Sequence, residues 1–366
     1  MAVRAAVPNC RREVRRGGPS SRGFWRATCK ALAKSVLVCA TAPTFLAAVP
    51  PDIQALLDRH DYAGAEQALY TRLEASPEWE TGHLLLAQIY NTTGRYEMAE
   101  RTGLAALRLR ESLDALMALA VADMNLRKLN ESVGWLEKAA KRQPNDPEIY
   151  RVLGLDYALG GNMQESEKAF RRATQLAPEN AKLAYLEGRA LYEIEKFPAA
   201  RQSLERAVDR NPLSTKSWTA LGQVYDRMGD AAGAERHYRK ALEVCGSTQR
   251  ECAWPQMELG FLASRHSGEK EAEQYFRRAV DARPDWAKPH FYLGKMLAAS
   301  GNLAAALAEL ESAARLEPDQ SQHHYQLAQV YRRLGKVKQS EQHLARYREL
   351  VETERNKGAL FELHEP

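Results

Sequence analysis

The chain has 366 residues, with 52 Lys and Arg against 47 Asp and Glu, a formal net charge of +5, 45% hydrophobic residues and five Cys. That apolar fraction excludes disorder along the whole length, and so few Cys exclude a small disulfide scaffold. A mean hydropathy of −0.52, with no stretch of about 20 uncharged apolar residues, excludes a polytopic membrane protein.

Residues 1–48 carry the basicity: Arg4, Arg11, Arg12, Arg15, Arg16, Arg22, Arg26, Lys30 and Lys34 stand against the single acid Glu13. The remainder sums to −3. A body of that sign offers no general attraction to phosphates, so no nucleic-acid partner is expected. After Lys34 come fifteen uncharged, mainly apolar residues from Ser35 to Val49, ending in small side chains. A charged stretch, a short apolar run and a small-residue site are the order of a secretory signal, with cleavage expected near Ala48. The run is short and broken by Pro43, so no membrane span is expected in the mature chain. An Arg-rich, acid-poor leader also fits an organelle transit peptide, which keeps an organelle or the cytoplasm as the alternative location.

Residues 49–79 read as a degenerate first unit that keeps Ala65 and Pro77. From 80 to 355 the chain repeats, with units beginning near Glu80, Leu113, Pro147, Ala181, Thr215, Ala253, Ala287 and Ser321. Gly154, Gly188, Gly222, Gly260 and Gly294 are separated by 34, 34, 38 and 34 residues; Ala139, Ala173, Ala207, Ala241, Ala279 and Ala313 keep the same ruler, as do Pro144, Pro178, Pro212, Pro284 and Pro318. A fixed period of this length decides the fold before any local reading. Within each unit, apolar residues recur three and four apart, as in Trp218, Leu221, Gly222 and Tyr225, then Ala234, Tyr238 and Ala241. That pattern predicts two short helices, each with one apolar face. The small residue in the first helix admits the second, and the Pro ends the unit. A single hairpin cannot bury its apolar face alone, so the units must stack.

This pattern closely resembles the tetratricopeptide repeat family, over about 80% of the chain. It is clearest at 147–178 (Leu153, Gly154, Tyr157, Phe170, Ala173, Pro178) and at 215–242. It is weaker at 113, where Asp123 replaces the aromatic, and at 321, where Ala328 and Tyr347 stand for Gly and Ala. The resemblance implies an all-α, right-handed solenoid of eight to nine helix-turn-helix repeats. It also implies an inner groove lined by the first helix of each hairpin, where an extended peptide or a partner's helix binds.

The four extra residues in the ruler fall at Cys245 to Cys252, and these are the only two Cys that a processed body would keep. An even pair bracketing the one insertion reads as a small disulfide loop in an oxidising compartment, with two unpaired thiols as the alternative. Residues 356–366 form a short amphipathic tail that either docks on the last hairpin or frays. No phosphate loop, nucleophile elbow or His-Glu-x-x-His pair is present. The chain is therefore expected to be no enzyme and to need no cofactor or metal; His323, His324 and His343 read as ordinary helix residues, and most Glu as members of solvated ion pairs on outer faces.

Carried over unit by unit, the groove positions of the C-terminal half present Lys182, Arg189, Lys216, Arg227, Arg265, Lys288, Lys295, Arg332 and Arg333 against Glu193, Asp226 and Glu258. Tyr185, Tyr192, Trp254, Phe261, Phe291, Tyr292 and Tyr325 are interleaved with them. A basic, aromatic strip within an acidic body suits an acidic, extended ligand. The family's clamp for a C-terminal carboxylate needs Asn at places where this sequence lacks it. The expected function is a non-catalytic scaffold for other proteins or peptides, exported to the bacterial cell envelope; the alternative is an intracellular or organellar co-chaperone or regulatory array.

Overall fold

The computed structural model describes residues 49–245, 249–266 and 268–362. The leader and its cleavage point lie outside them, as do residues 246–248 of the insertion and the last four residues. The described residues form eighteen α-helices and no strand. The chain divides after Arg210 into two compact units.

The first unit holds five hairpins: α1 (Pro51–Asp58) with α2 (Tyr62–Ala75), α3 (Glu80–Thr93) with α4 (Tyr96–Leu109), α5 (Leu113–Leu126) with α6 (Leu129–Arg142), α7 (Pro147–Leu159) with α8 (Met163–Leu176), and α9 (Ala181–Glu193) with α10 (Phe197–Arg210). The second holds four: α11 (Thr215–Arg227) with α12 (Ala231–Val244), α13 (Gln249–His266) with α14 (Glu269–Ala282), α15 (Ala287–Ala299) with α16 (Leu303–Leu316), and α17 (Ser321–Arg333) with α18 (Val337–Glu362). In each unit every helix packs on the one before it, and the first helices α3 and α5, α5 and α7, α11 and α13, and α15 and α17 also touch. Each unit is an all-α stack of helical hairpins.

Helix starts follow from capping. Asp61, Ser112, Asp146, Asn162, Asn180, Ser214, Asp230 and Asn302 each accept a hydrogen bond from a backbone N–H in the first turn. Such a cap contributes about 1 kcal/mol, so each boundary is fixed locally before packing is considered.

The glycine ruler has a steric cause. A Cβ on Gly154 would lie 2.6 Å from the Phe170 ring, on Gly188 2.6 Å from Leu204, on Gly222 2.5 Å from Tyr238, on Gly260 2.8 Å from Phe276 and on Gly294 2.7 Å from Leu310. In each pair the large side chain of the second helix lies against the first helix's backbone. Phe170, Leu204, Tyr238, Phe276 and Leu310 are fully or almost fully buried, each burial stabilising by about 1.5 to 3 kcal/mol. The alanines of the second ruler, Ala139, Ala173, Ala207, Ala241, Ala279 and Ala313, are all at 0% exposure.

Two boundaries differ from the sequence reading. Helix α13 begins at Gln249, not near Ala253, and Pro255 lies inside it. The insertion is thus partly taken up as an extra turn ahead of Pro255, a residue that ordinarily tolerates only the first turn of a helix. At the other end, α18 continues to Glu362, so the helix runs through most of the segment read as a tail.

Candidate functional site

The candidate residues fall in both units. In the first, all four sit on α9. Lys182 is exposed. Tyr185 is 9% exposed and Arg189 only 1%. The Arg189 guanidinium donates to Glu193 at 3.2 Å and lies 5.0 Å from the centre of the Tyr192 ring. Tyr192 in turn meets Phe197 edge-on at 5.7 Å. Burial pushes the Tyr185 hydroxyl up to about 12, with the nearby Arg189 opposing. Arg189 and Tyr185 are therefore mainly part of the packing of this hairpin, and Lys182 is the group offered to solvent.

In the second unit α13 and α15 bring several candidates together. Phe261 and Phe291 are 7% and 6% exposed and form an aromatic floor with Tyr292, whose ring lies edge-on to Phe261 at 4.6 Å and to Phe291 at 5.3 Å. Two ammonium groups sit over that floor. Lys288 Nζ is 5.7 Å from the Phe261 ring centre, and Lys295 Nζ is 5.5 Å from Phe291 and 5.9 Å from Tyr292. Arg265 of α13 pairs with Asp226 of α11 at 2.6 Å.

Beside this floor lies Glu258, 7% exposed. Gln223 Nε2 of α11 donates to its Oε1 at 2.8 Å and Trp254 Nε1 donates to the same oxygen at 3.0 Å. Burial raises the Glu258 carboxyl above its usual range; Lys288 and the two donors oppose. Burial likewise lowers Lys288, against the attraction of Glu258 and Glu317. One acid is thus built into the basic strip. Sequence reasoning counted Glu258 among the groove residues but did not foresee Gln223, which no charge or aromatic signal marks.

Other candidates stand apart. Lys216 and Arg227 are exposed at opposite ends of α11. Tyr325 is 39% exposed, its ring 5.3 Å from Tyr347 of α18, and Arg332 is exposed at the end of α17. Arg333 donates to the Ala298 carbonyl. His324 and His343 approach Nδ1 to Nδ1 at 3.0 Å; among the described residues no three His, Cys, Asp or Glu side chains are grouped to hold a metal. The Cα atoms of Cys245 and Cys252 are 5.5 Å apart, with the sulfurs at bonding distance.

The reading of most Glu as solvated outer residues needs correction at Glu167 and Glu187. Asp123, Asp156, Glu167, Glu187 and Glu258 are buried. They lie where helices meet, and each finds a local partner: Trp135 for Asp123, Ser132 for Asp156, Arg171 for Glu167, Arg206 for Glu187. These partners, on the same or a neighbouring helix, offset the cost of taking the acids from water.

Comparisons with known proteins agree with this architecture. The family model described as tetratricopeptide repeat matches residues 117–181, 185–249, 270–321 and 293–354. Anaphase-promoting complex subunit 3 of Schizosaccharomyces pombe is 25% identical over 195 residues, which are 53% of this chain and 28% of that protein. Human protein O-mannosyl-transferase TMTC1 is 27% identical over 164 residues, 43% of this chain and 19% of that one. The chain thus spans less than a third of either relative. Among solved structures, the C-terminal part of a repeat-containing protein from Cytophaga hutchinsonii superposes with a TM-score of 0.53 at 15% identity, covering 65% of this chain and 97% of that one. A tetratricopeptide repeat protein from Parabacteroides merdae gives 0.51 at 15% identity, covering 64% and 91%. At those identities the likeness is one of fold. No helix among the described residues is long and apolar enough to cross a membrane.

Proposed function

Because the chain belongs to the tetratricopeptide repeat family, whose members bind other proteins and generally serve as non-catalytic interaction scaffolds, we propose that its second unit holds an acidic, extended segment of a partner protein along the face formed by α11, α13, α15 and α17. The observation that carries this reading is the placing of Lys288 and Lys295 over the Phe261, Phe291 and Tyr292 floor. An ammonium over an aromatic face is fixed in position yet keeps its attraction for a carboxylate. The basic groups Lys216, Arg227, Arg265, Arg332 and Arg333, spread along α11, α13 and α17, steer an acidic chain toward it. Phe261 and Phe291 act as floor more than as contact surface, since so little of either is exposed.

Export to the bacterial cell envelope is proposed from the leader, whose basic, apolar and small-residue segments follow in the order of a secretory signal. The approach of Cys245 to Cys252 supports an oxidising compartment for the mature chain, in which the two form a disulfide. The array works by holding its partner and does no chemistry on it.

The test is binding of an extended glutamate-rich peptide to the full chain, against the same peptide with glutamine, at rising salt. Added salt, which screens exposed charges beyond about 8 Å at physiological ionic strength and at shorter range above it, should weaken the acidic peptide's binding. Replacing Lys216, Lys295 and Arg332 together by Ala should slow association roughly tenfold. Equal binding of the two peptides, or an unchanged rate in the triple variant, would refute the proposal.

A further inference from the structure

Buried serines at one repeat position share a hydrogen bond. Ser166 Oγ of α8 donates to the Gly154 carbonyl at 2.7 Å, and Ser340 Oγ of α18 donates to the Ala328 carbonyl at 2.8 Å, each twelve residues back in its own hairpin. Ser132 Oγ of α6 makes the same bond to the Ala120 carbonyl at 2.7 Å. A carbonyl can only accept, so the one hydroxyl proton of Ser132 is committed to it. Yet Ser132 Oγ also lies 2.5 Å from Oδ2 of Asp156 on α7. Asp156 is 1% exposed. With the serine proton already engaged, a contact that short between two oxygens needs a second proton, and the carboxyl is its only source.

We propose that Asp156 is protonated in the folded chain, donating to Ser132, and that its ionisation is a pH-operated loosening of the packing between the α5–α6 and α7–α8 hairpins. The remaining groups at the site agree. Oδ1 of Asp156 has no hydrogen-bond partner, nor has Oδ1 of Asp123 on α5, itself 3% exposed. Of the acids on the packed helices, namely Asp114 and Asp123 on α5, Glu131 and Glu137 on α6, and Glu165 and Glu167 on α8, Asp123 is the one that acts on Asp156, and it disfavours a second charge. Glu137 and Glu165 bear on the adjacent Tyr157, and Glu167 is engaged by Arg171. No cation from these helices acts on the carboxyl. Burial pushes it up to about 7, with the Ser132 contact opposing and Asp123 adding. A carboxyl raised in the folded state favours folding fully at low pH and loses that contribution as pH rises through the folded value. Between about pH 4, where the unfolded carboxyl ionises, and about pH 7 the folding constant should therefore fall tenfold per pH unit through this one group, and above pH 7 this contribution levels off.

The experiment is urea unfolding of the full chain from pH 4 to 9, beside Asp156→Asn, whose side-chain N–H can donate to Ser132 without ionising. The wild type should lose stability relative to the variant by about tenfold per pH unit between about pH 4 and 7, and the two profiles should run parallel above it. Profiles that stay parallel between pH 4 and 7 would overturn the proposal. A second measurement needs no variant stability: the Asp156 carboxyl carbon followed by NMR in the wild type should titrate near neutrality, and a carboxylate already charged at pH 6 would overturn it equally.

Discussion

Replacing Gly222 by Ala isolates the contact on which each hairpin depends. The added Cβ would lie 2.5 Å from Tyr238 and 3.2 Å from the Ala234 carbonyl oxygen. Tyr238 has no exposed surface and cannot swing away, so the two helices must separate by several tenths of an ångström. Overpacking of this kind costs about 1 to 3 kcal/mol. Against it stands the intrinsic helix preference of Ala over Gly, about 1 kcal/mol. Gly134 in α6 supplies the control, since a Cβ there meets nothing within 4 Å. Gly134→Ala should stabilise by roughly the propensity alone. Gly222→Ala should therefore fall short of Gly134→Ala by about 1 to 3 kcal/mol, read from urea midpoints at matched slopes. Amide exchange should place the loss in α11 to α13. If Gly222→Ala is as stabilising as Gly134→Ala, the close approach is not what the glycine ruler records.

Intact mass of protein from its native compartment should show Cys245 and Cys252 two hydrogen atoms lighter than free thiols, and Cys245→Ser should cost about 2 kcal/mol, since so small a ring removes little unfolded-chain entropy. His290, whose Nδ1 lies 2.6 Å from Glu309 Oε2, is raised above the ordinary histidine range chiefly by that bond. The pair's contribution is then fully present below the unfolded histidine value and is lost as pH rises through the folded one, so Glu309→Gln should cost more at pH 6 than at pH 9 in a pH series of thermal melts.

The period, the hairpin count and the helix that faces each glycine were legible because they rest on side-chain volume, which a single residue type reports. Gly154 and Phe170 announce each other from sixteen residues apart. The site was less legible because charge type does not report burial. Arg189 and Lys182 occupy comparable groove positions on α9, yet one is packed away and the other is in water; the difference lies in Tyr192 and Glu193, which hold the guanidinium down. Asp123 could be read as a departure from the repeat, since an acid stood at an aromatic place. Asp156 could not, because its effect comes from Ser132 in the preceding hairpin, a residue that looks in sequence like any small helix-packing side chain.

Since each hairpin packs mainly on its neighbours in sequence, the array changes its number of hairpins in whole steps. Removing residues 147–180 would bring the hairpin at 113 against the one at 181, and the glycines, alanines and prolines would stay on their ruler. Removing one residue from inside a helix would instead turn the rest of that helix by about 100° about its axis and draw its apolar face out of the core, whereas the junction at Cys245 to Cys252 takes up four extra residues between units. In-frame loss or duplication of this 34-residue module is then a gentler event than the deletion of a single codon within a helix.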